Sequence, residues 1–303
     1  MSDSENLIGI DLGGTGSRFV LMSGEGLVHT RLTLRTPILR DPENSVQFIL
    51  DAIRTIGGAS KIRGVGIGAT GPIDPEGIIR NPDTLAAFSN FDFVGALSHQ
   101  LGLPVHIDND AVTAALAEYR FGAGKNSRSL LLVTLGTGIG SCLLIEGKPF
   151  RGGDGWHPEG GHLDIGRLDE ACYCGRASCW EASASRQSLQ RIATQKTNRK
   201  VDSIIELDHL TKLSLDQDSI ALSVFEEYGI RVGEGLANLL GIYRPTDVVI
   251  GGGGARYFDQ FAPAALTYLE KVRSWIPDFT FQATQLDDFG GAMGAATLVP
   301  TGL

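Results

Sequence analysis

One internal repeat constrains the fold of this 303-residue chain more than any other feature. Residues 8–14 and 131–137 each form an apolar run that ends in a glycine turn, and they align without a gap at an offset of 131 minus 8, or 123. The same offset places Leu21 opposite Leu144, so a second apolar run follows each turn. Apolar runs separated by glycine indicate strands joined by a turn. The repeat therefore predicts two similar lobes, each with its own strand–turn–strand unit, that face each other across a cleft.

Both glycine turns of the repeat are candidate phosphate-binding loops. Glycine lets the backbone approach a ligand closely, and successive backbone N–H groups can then surround an anion. Taken alone, such a turn is more typical of a plain hairpin. Two features favour phosphate binding here. The turn is duplicated, and Asp11 ends the first strand, where an unpaired carboxylate would be costly but could hold a Mg²⁺ ion and its waters.

A third glycine run, at residues 251–254, follows a strand predicted at residues 247–250. Its backbone suits close packing against the base, ribose or α-phosphate of a nucleotide. A dinucleotide-binding fold is the competing hypothesis, but the GxGxxG spacing is not matched and the run lies late in the chain. The sequence has no Walker A motif, which argues against a P-loop ATPase.

Asp110 stands where an α/β sheet places its ligands. The apolar run 104–107 predicts a strand, and helical spacing predicts a helix at 111–121 directly after it. Ligands of open α/β sheets bind at the carboxyl ends of the strands. The alternative is that Asn109 or Asp110 only caps the helix. Spacing does not separate the two hypotheses, and they are compatible, because one residue could cap the helix while its neighbour reacts.

Three cysteines and a histidine have the composition of a zinc site. His162, Cys172, Cys174 and Cys179 give the pattern H-x9-C-x-C-x4-C. A Cys₃His set suits tetrahedral Zn²⁺, and four protein ligands leave no open position, so we expect a structural site. Reduced structural thiols are the alternative, with a disulfide as a minor variant, but clustered cysteines in a cytosolic chain favour a metal. Cys142 lies in a predicted strand and is expected in the core.

Two glutamates flank this cysteine cluster. Glu159 lies three residues before His162, and Glu181 lies two residues after Cys179. A metal-bound loop would fix both carboxylates, which could then accept several directional hydrogen bonds from sugar hydroxyl groups. Ordinary surface carboxylates are the alternative, and it is weaker for glutamates beside a metal site.

Charge and hydrophobicity limit the class of protein. The formal net charge is −9 and the pI is about 5.2, which argues against a nucleic-acid binder because such a protein needs a basic face. The hydrophobic share of 42% and the charged share of 20% are those of a globular protein. No apolar run reaches the length of a membrane span. The first six residues lead directly into a predicted strand, so we expect no signal peptide and a cytoplasmic location.

The predicted organisation is two lobes joined by ordered structure. The N-terminal lobe comprises residues 1–118, to which the C-terminal helix at 290–303 returns, and the C-terminal lobe comprises residues 119–289. Helical spacing predicts helices at 44–56, 93–101, 111–121, 183–197, 219–243 and 290–298.

Taken together, these motifs resemble those of the ROK family of sugar kinases, repressors and open reading frames. The family has the actin-like, ribonuclease-H-like ATPase fold, an α/β fold of two lobes. The resemblance covers nearly the whole chain, and its zinc motif with two glutamates is specific to the family. The matching segments are 11–15, 68–74, 103–111, 135–140, 159–162, 172–181, 247–252 and 291–296.

The resemblance also implies residue roles. Asp110 is implied to be the general base that takes a proton from the acceptor hydroxyl. The implied substrate-binding residues are Gly71, Asn109, Asp110, Glu159, His162 and Glu181, with His162 also a zinc ligand beside Cys172, Cys174 and Cys179. The residues implied to surround ATP and Mg²⁺ are Asp11, Gly13, Gly14, Thr15, Gly136, Thr137, Gly138, Gly252 and Gly253.

The resemblance thus implies an ATP-dependent hexose kinase that is glucokinase-like and acts on the 6-hydroxyl of glucose. N-acylmannosamine kinase is the nearest alternative, followed by fructose and allose kinases, and a non-catalytic sugar-sensing protein is a further one. Some relatives accept polyphosphate in place of ATP, and the family usually forms dimers or tetramers. One departure lies at the sugar site. The family's Asn-Leu pair is Thr84-Leu85 here, unless Asn81 or Asn90 replaces its asparagine.

Overall fold

The computed structural model describes residues 6–38, 41–58, 60–167 and 171–300. These residues form two compact units. The first takes its residues from 1–128, 144–158 and 285–303, and the second from 129–143 and 159–284. The predicted lobe boundaries stay a prediction. The expected absence of a signal peptide concerns residues 1–5, which lie outside the described residues, as do residues 301–303 of the predicted C-terminal helix.

Two mixed sheets organise the chain. The strands are β1 (Asn6–Leu12), β2 (Ser17–Ser23), β3 (Val28–Leu34), β4 (Ile62–Ala69), β5 (Val105–Asn109), β6 (Ser129–Leu135), β7 (Ile139–Ile145), β8 (Lys148–Pro149), β9 (Asp247–Gly251) and β10 (Thr280–Ala283). The strand order is β3-β2-β1-β4-β5 in one sheet and β10-β9-β6-β7-β8 in the other. β1 pairs antiparallel with β2 and parallel with β4, and β9 pairs parallel with β6 and β10.

Helices connect and cover the strands. They are α1 (Pro42–Gly57), α2 (Phe93–Leu101), α3 (Asp110–Phe121), α4 (Trp180–Ala184), α5 (Arg186–Thr197), α6 (Ile204–Leu215), α7 (Ser219–Tyr243), α8 (Phe258–Lys271) and α9 (Gly290–Ala296). Short 3₁₀ helices span Gly160–His162, Gly253–Tyr257 and Arg273–Trp275. In the described ranges, no helix is both long and apolar enough to cross a lipid bilayer.

The internal repeat is confirmed as two strand–turn–strand units. Adding the offset of 123 to the bounds of β1 gives the bounds of β6, and β7 begins one residue earlier than the offset predicts from β2. The reason is the turn, which spans residues 13–16 in the first copy and residues 136–138 in the second. The shorter second turn starts the returning strand earlier. The α/β class predicted from the sequence is therefore confirmed.

The small residues of α9 let this helix lie directly on the first sheet. A Cβ atom added to Gly9 would lie 1.8 Å from the carbonyl oxygen of Ala292, and one added to Gly66 would lie 1.8 Å from that of Ala295. Side chains on either strand would therefore hold the helix away. The C-terminal helix therefore lies in direct backbone contact with β1 and β4.

One predicted helix is interrupted. The sequence predicted a continuous helix at residues 183–197, whereas the chain forms α4 and α5 with extended backbone at Ser185 between them. The break has its reason in a hydrogen bond to a distant part of the chain. The backbone N–H of Arg186 donates to the carbonyl of Gly136 at 2.9 Å instead of to a carbonyl within its own helix.

Candidate active site

In the first unit, Asp110 lies at the junction that the sequence predicted. β5 ends at Asn109 and α3 begins at Asp110. The Asp110 carboxylate accepts a hydrogen bond from Thr70 Oγ1 at 2.9 Å and one from the backbone N–H of Ala111 at 2.9 Å. Burial raises the pKa of Asp110, and these two hydrogen bonds oppose the rise. The result is an enclosed carboxylate in a fixed orientation, which can accept a proton from a nearby hydroxyl group.

Asn109 caps α3 and also holds the neighbouring loop. Its Oδ1 accepts a hydrogen bond from the backbone N–H of Ala111 at 2.8 Å, and its Nδ2 donates to the carbonyl of Gly71 at 3.0 Å. Gly71 has a φ of +94°, which a side chain would strain. Asn109 therefore supplies the cap, while Asp110 keeps a carboxylate oriented by Thr70.

An ion pair supports this junction, and sequence reasoning missed it. Asp108 accepts a hydrogen bond from the backbone N–H of Asn109 at 2.8 Å, and its other oxygen accepts one from the guanidinium of Arg151. Asp108 is buried, whereas Arg151 is partly exposed. The two residues are far apart in the sequence and belong to different motifs, so no local pattern indicated the pairing. Thr70 was missed as a partner of Asp110 for the same reason.

A second carboxylate near Asp110 belongs to Asp11 in β1, just before the first glycine turn. Burial and then the negative charge of Asp110 raise the pKa of Asp11 to about 7, while Arg18, at 3.5 Å from the Asp11 carboxylate, opposes the shift. Two repelling carboxylates suit a divalent cation with oxygen ligands, so this donor chemistry fits Mg²⁺ at Asp11. The turn itself is fixed by Thr36, whose Oγ1 donates to the carbonyl of Gly13 at 2.6 Å.

Two of the three alternative sugar-site residues lie beside these loops. Asn81 Nδ2 donates to the carbonyl of Thr70 at 3.0 Å, and Asn81 Oδ1 accepts from the backbone N–H of Thr84 at 3.3 Å. Thr84 packs against Gly14, where an added Cβ would lie 2.4 Å from Thr84 Cγ2. Asn90 instead accepts a hydrogen bond from Arg80.

In the second unit, the predicted metal ligands come together. One donor atom from each of His162, Cys172, Cys174 and Cys179 lies within 4.8 Å of the others. His162 Nδ1 lies 3.5 Å from Cys172 Sγ, and the sulfur atoms of Cys174 and Cys179 are 3.4 Å apart. Tetrahedral zinc with ordinary Zn–S and Zn–N bonds would separate its ligand atoms by about 3.6–3.8 Å. The donor set and its spacing therefore fit a tetrahedral metal ion.

The orientation of His162 is shared between this cluster and an aromatic side chain. Its Nε2 lies 3.1 Å from the hydroxyl of Tyr173, and the two rings meet edge to face. The Nδ1 atom therefore faces the thiols, while Nε2 points away from them. Second contacts of this kind commonly fix the orientation of a metal-bound histidine.

The two predicted sugar-binding glutamates have different surroundings. Glu159 lines a cavity of about 390 Å³ together with His162, Leu163, Cys174 and Arg176. Glu181, the second residue of α4, accepts a hydrogen bond at Oε2 from the backbone N–H of Ile139 at 2.8 Å. A Cβ on Gly138 would lie 2.3 Å from that same oxygen. Glu181 therefore connects the segment that contains the predicted metal ligands to the second glycine turn, a contact that the sequence did not predict.

The third glycine run contacts Leu135, the residue directly before the second glycine turn. A Cβ on Gly252 would lie 2.8 Å from the carbonyl oxygen of Leu135, and one on Gly254 would lie 2.7 Å from Leu135 Cβ. Leu135 directly precedes the 136–138 turn. Sequence reasoning also missed Arg186 here, whose guanidinium donates to Thr137 Oγ1 at 3.3 Å.

The predicted residues thus form one group in each unit. The first unit brings Asp11, Gly71, Asn109 and Asp110 to the ends of β1, β4 and β5. The second unit places its two glycine runs after β6 and β9, Glu181 beside the first of these runs, and the predicted metal ligands in the segment before and at the start of α4. The first group contains two carboxylates and a glycine turn, and the second contains the predicted metal ligands and two glycine runs.

Comparison with known proteins gives relatives that span the whole chain. The glucokinase of Streptomyces coelicolor is 31% identical, with 96% of each chain covered. A crystal structure of a ROK family glucokinase from Streptomyces griseus, in complex with glucose and AMPPNP, is 28% identical with a TM-score of 0.81, and covers 97% of this chain and 98% of its own. The xylose repressor of Caldicellulosiruptor bescii is 28% identical over 98% of this chain and 78% of the repressor.

The structural likeness identifies the fold as that of the actin-like ATPases, as predicted. The ROK family model matches residues 7–301, which is nearly the whole sequence. This chain therefore belongs to the ROK family.

Proposed function

We propose that this ROK protein transfers the γ-phosphoryl group of ATP to the 6-hydroxyl of glucose, with Asp110 as the general base. The protein is a sugar kinase, because glucokinases align with it over nearly its whole length. Glucose is the proposed acceptor because several of these relatives are glucokinases and one was crystallised with glucose. N-acylmannosamine, fructose and allose are the alternative acceptors.

The observation that carries the proposal is the environment of Asp110. Phosphoryl transfer asks the protein for positioning and charge neutralisation more than for covalent chemistry. The acceptor hydroxyl needs one carboxylate within hydrogen-bond reach. Thr70 and the first turn of α3 hold Asp110 in one orientation, and burial makes its carboxylate more basic than an exposed one.

The proposed sugar contacts come from both groups of residues. Asn109 and Gly71 belong to the first, and Glu159, His162 and Glu181 belong to the second. Zn²⁺ at the cysteine cluster would have a structural role, because all four of its ligands are protein groups. The metal-binding segment then fixes the positions of Glu159 and Glu181, which flank it in the sequence.

The proposed nucleotide contacts are the three glycine runs. Gly13, Gly14 and Thr15 in one unit, and Gly136, Thr137 and Gly138 in the other, would donate hydrogen bonds to the phosphates. Gly252 and Gly253 would lie near the adenosine. Mg²⁺ held at Asp11 would supply charge neutralisation on the phosphate oxygens. We also propose that the protein is cytoplasmic and forms a homodimer or homotetramer. The proposed lobes divide near residues 118 and 290.

The test is a coupled ADP-release assay over glucose, N-acetylmannosamine, N-acetylglucosamine, mannose, fructose and allose. It includes Asp110→Asn and, as a matched control, Asp51→Asn on the exposed face of α1. We expect glucose to give the highest kcat/KM. We expect Asp110→Asn to lower it by about 100- to 10,000-fold, which is the usual contribution of a general base. Absence of turnover with every sugar, using either ATP or polyphosphate, would refute the kinase proposal.

A second candidate function is sugar sensing, favoured by the likeness to xylose repressors. It predicts that sugars raise the melting temperature without any turnover. It also predicts salt-sensitive binding to double-stranded DNA, which a chain with a net charge of −9 is poorly suited to provide. Sugar-dependent turnover that Asp110→Asn abolishes would exclude a purely sensing role.

A further inference from the structure

Arg186 lies against the second glycine turn through both its backbone and its side chain. Its backbone N–H donates to the carbonyl of Gly136 at 2.9 Å, and its guanidinium donates to Thr137 Oγ1 at 3.3 Å. It is the first residue of α5, a helix of twelve residues that ends at Thr197. The turn therefore meets both a fixed positive charge and the positive end of a helix dipole.

The charge of Arg186 is not neutralised within the described part of the chain. No carboxylate there lies within 4.0 Å of its guanidinium, whereas many other arginines have one. The paired arginines are Arg18, Arg31, Arg54, Arg80, Arg151, Arg167, Arg231, Arg256 and Arg273. The net charge of the protein is −9, yet within the described residues this guanidinium donates a hydrogen bond only to a hydroxyl group at a glycine turn. Its remaining N–H groups can donate hydrogen bonds to a bound anion.

The turn that Arg186 contacts is also next to the third glycine run. That run continues into the 3₁₀ helix Gly253–Tyr257, and it contacts Leu135 at the start of the second turn. Burial raises the pKa of Tyr257 to about 12, and the charges of Arg256 and Arg186 oppose that rise. An anion bound by Arg186 would therefore lie at the turn proposed for phosphates, and Leu135, directly before that turn, contacts the run proposed for adenosine.

We propose that Arg186 binds the phosphate chain of the nucleotide at the 136–138 turn. The inference rests on the proposed use of ATP and adds a residue that the resemblance did not assign. Arginine suits this role because its planar guanidinium can give two parallel hydrogen bonds to phosphate oxygens. The contact with Thr137 orients that group before the nucleotide binds. Arg186 should therefore contribute to the affinity for ATP and ADP and leave the affinity for adenosine unchanged.

The experiment is isothermal titration calorimetry of the full chain with ADP, AMPPNP, tripolyphosphate and adenosine. The variants are Arg186→Gln and Arg186→Lys, with Arg199→Gln as a control that removes an exposed positive charge after the same helix. We expect Arg186→Gln to weaken ADP and AMPPNP by about 10- to 100-fold, the usual range for a charge-assisted hydrogen bond. We expect Arg186→Lys to give a smaller loss, because it keeps the charge and loses the planar fork. Adenosine binding and Arg199→Gln should match the wild type.

Other binding results would separate the role of Arg186 from the kinase proposal. If the wild type binds ADP and Arg186→Gln binds it equally well, the inference is wrong and the kinase proposal is untouched. If only tripolyphosphate binds, and Arg186→Gln weakens it, Arg186 contacts phosphate and the proposed donor is wrong. If the wild type binds none of these ligands, both proposals fail. Equal melting temperatures would show that Arg186→Gln folds normally, which we expect because the bond to Gly136 uses the backbone.

Discussion

Asp110 shows how a side chain proposed to act in catalysis can lower the stability of the fold. Its pKa is raised because burial disfavours the charged form more than Thr70 and the Ala111 N–H favour it. A carboxyl group whose folded pKa lies above its unfolded pKa binds its proton more tightly in the folded state. The protein therefore loses free energy of unfolding as the pH rises from the unfolded pKa of Asp110 through its folded pKa.

We accordingly predict that Asp110→Asn, despite its lower kcat/KM, melts at a higher temperature than the wild type near pH 8. The neutral amide removes the cost of burying a charge, and it can still accept one hydrogen bond and donate another to the Thr70 hydroxyl. The difference in melting temperature should shrink as the pH falls through the raised pKa of Asp110 towards the ordinary pKa of an aspartate, because the wild-type carboxyl then takes up a proton. Differential scanning fluorimetry across this pH range measures it. A variant that is less stable at every pH would contradict the prediction.

The residue scale also shows what spacing can and cannot predict. The sequence placed Asn109 and Asp110 at a strand–helix junction but did not separate cap from catalyst, because both side chains are good caps. The structure gives the Gly71 contact to Asn109 and the Thr70 contact to Asp110. Both partners come from a loop about forty residues earlier in the chain. Contacts across that distance depend on the parallel pairing of β4 with β5, which a local pattern does not contain.

At the scale of elements, α9 packs so closely on β1 and β4 that no side chain fits at Gly9 or Gly66. We predict that Gly9→Ala and Gly66→Ala each lower the free energy of unfolding by at least about 2 kcal/mol, because the new Cβ would meet a backbone carbonyl that cannot move alone. Gly241→Ala is the matched control. It lies in α7 with open space around it, so better helix propensity should stabilise the protein by up to about 1 kcal/mol.

Urea unfolding of the three variants measures these effects. Tolerance of alanine at position 9 or 66 would mean that α9 does not lie directly on β1 and β4. A loss of stability in the control of the same size would mean that the effect is not specific to the helix–sheet contact.

The metal-binding segment gives the second prediction at this scale. We expect about one zinc ion per chain in the purified protein, and loss of zinc in Cys174→Ser and Cys179→Ser. Cys142→Ala should keep it, because Cys142 is a buried core residue in β7. Elemental analysis of the metal content checks this. Wild-type protein that lacks zinc but melts at the same temperature as zinc-loaded protein would contradict the structural role. Zinc retained by both ligand variants would contradict it as well.

Elements with strong local patterns were predicted well, and those without them were not. The bounds predicted for α2 and α7 agree with the structure, since both have a side-chain cap, and α7 ends at a left-handed Arg244 before Pro245. Sequence reasoning did not predict β3, whose residues are mostly exposed, or α8, which has a proline inside. The break at Ser185 was also missed. It depends on the backbone contact of Arg186 with Gly136, which lies about fifty residues earlier.

At the scale of the whole molecule, the duplicated strand–turn–strand unit gives each compact unit a core of its own. In the first unit, Ile8, Ile10, Val65 and Ile67 pack with the apolar side of α1. In the second, the main cluster joins residues of β6 and β9 with α5 and α7. These two clusters are made of different residues, and proteins with more than one core often unfold in more than one step.

We therefore predict two calorimetric transitions that respond to different changes. Gly66→Ala alters the packing of α9 on the first sheet, so it should lower one midpoint. Chelation of zinc removes support from the segment that precedes α4, whose Trp180 is fully buried in the second core, so it should lower the other. Nucleotide binding should raise the midpoint that chelation lowers, because Glu181 and Arg186 connect that segment to the 136–138 turn.

Differential scanning calorimetry of the full chain, with each change alone and both together, tests the assignment. A single transition that moves equally under both changes would show that the two cores unfold as one cooperative unit.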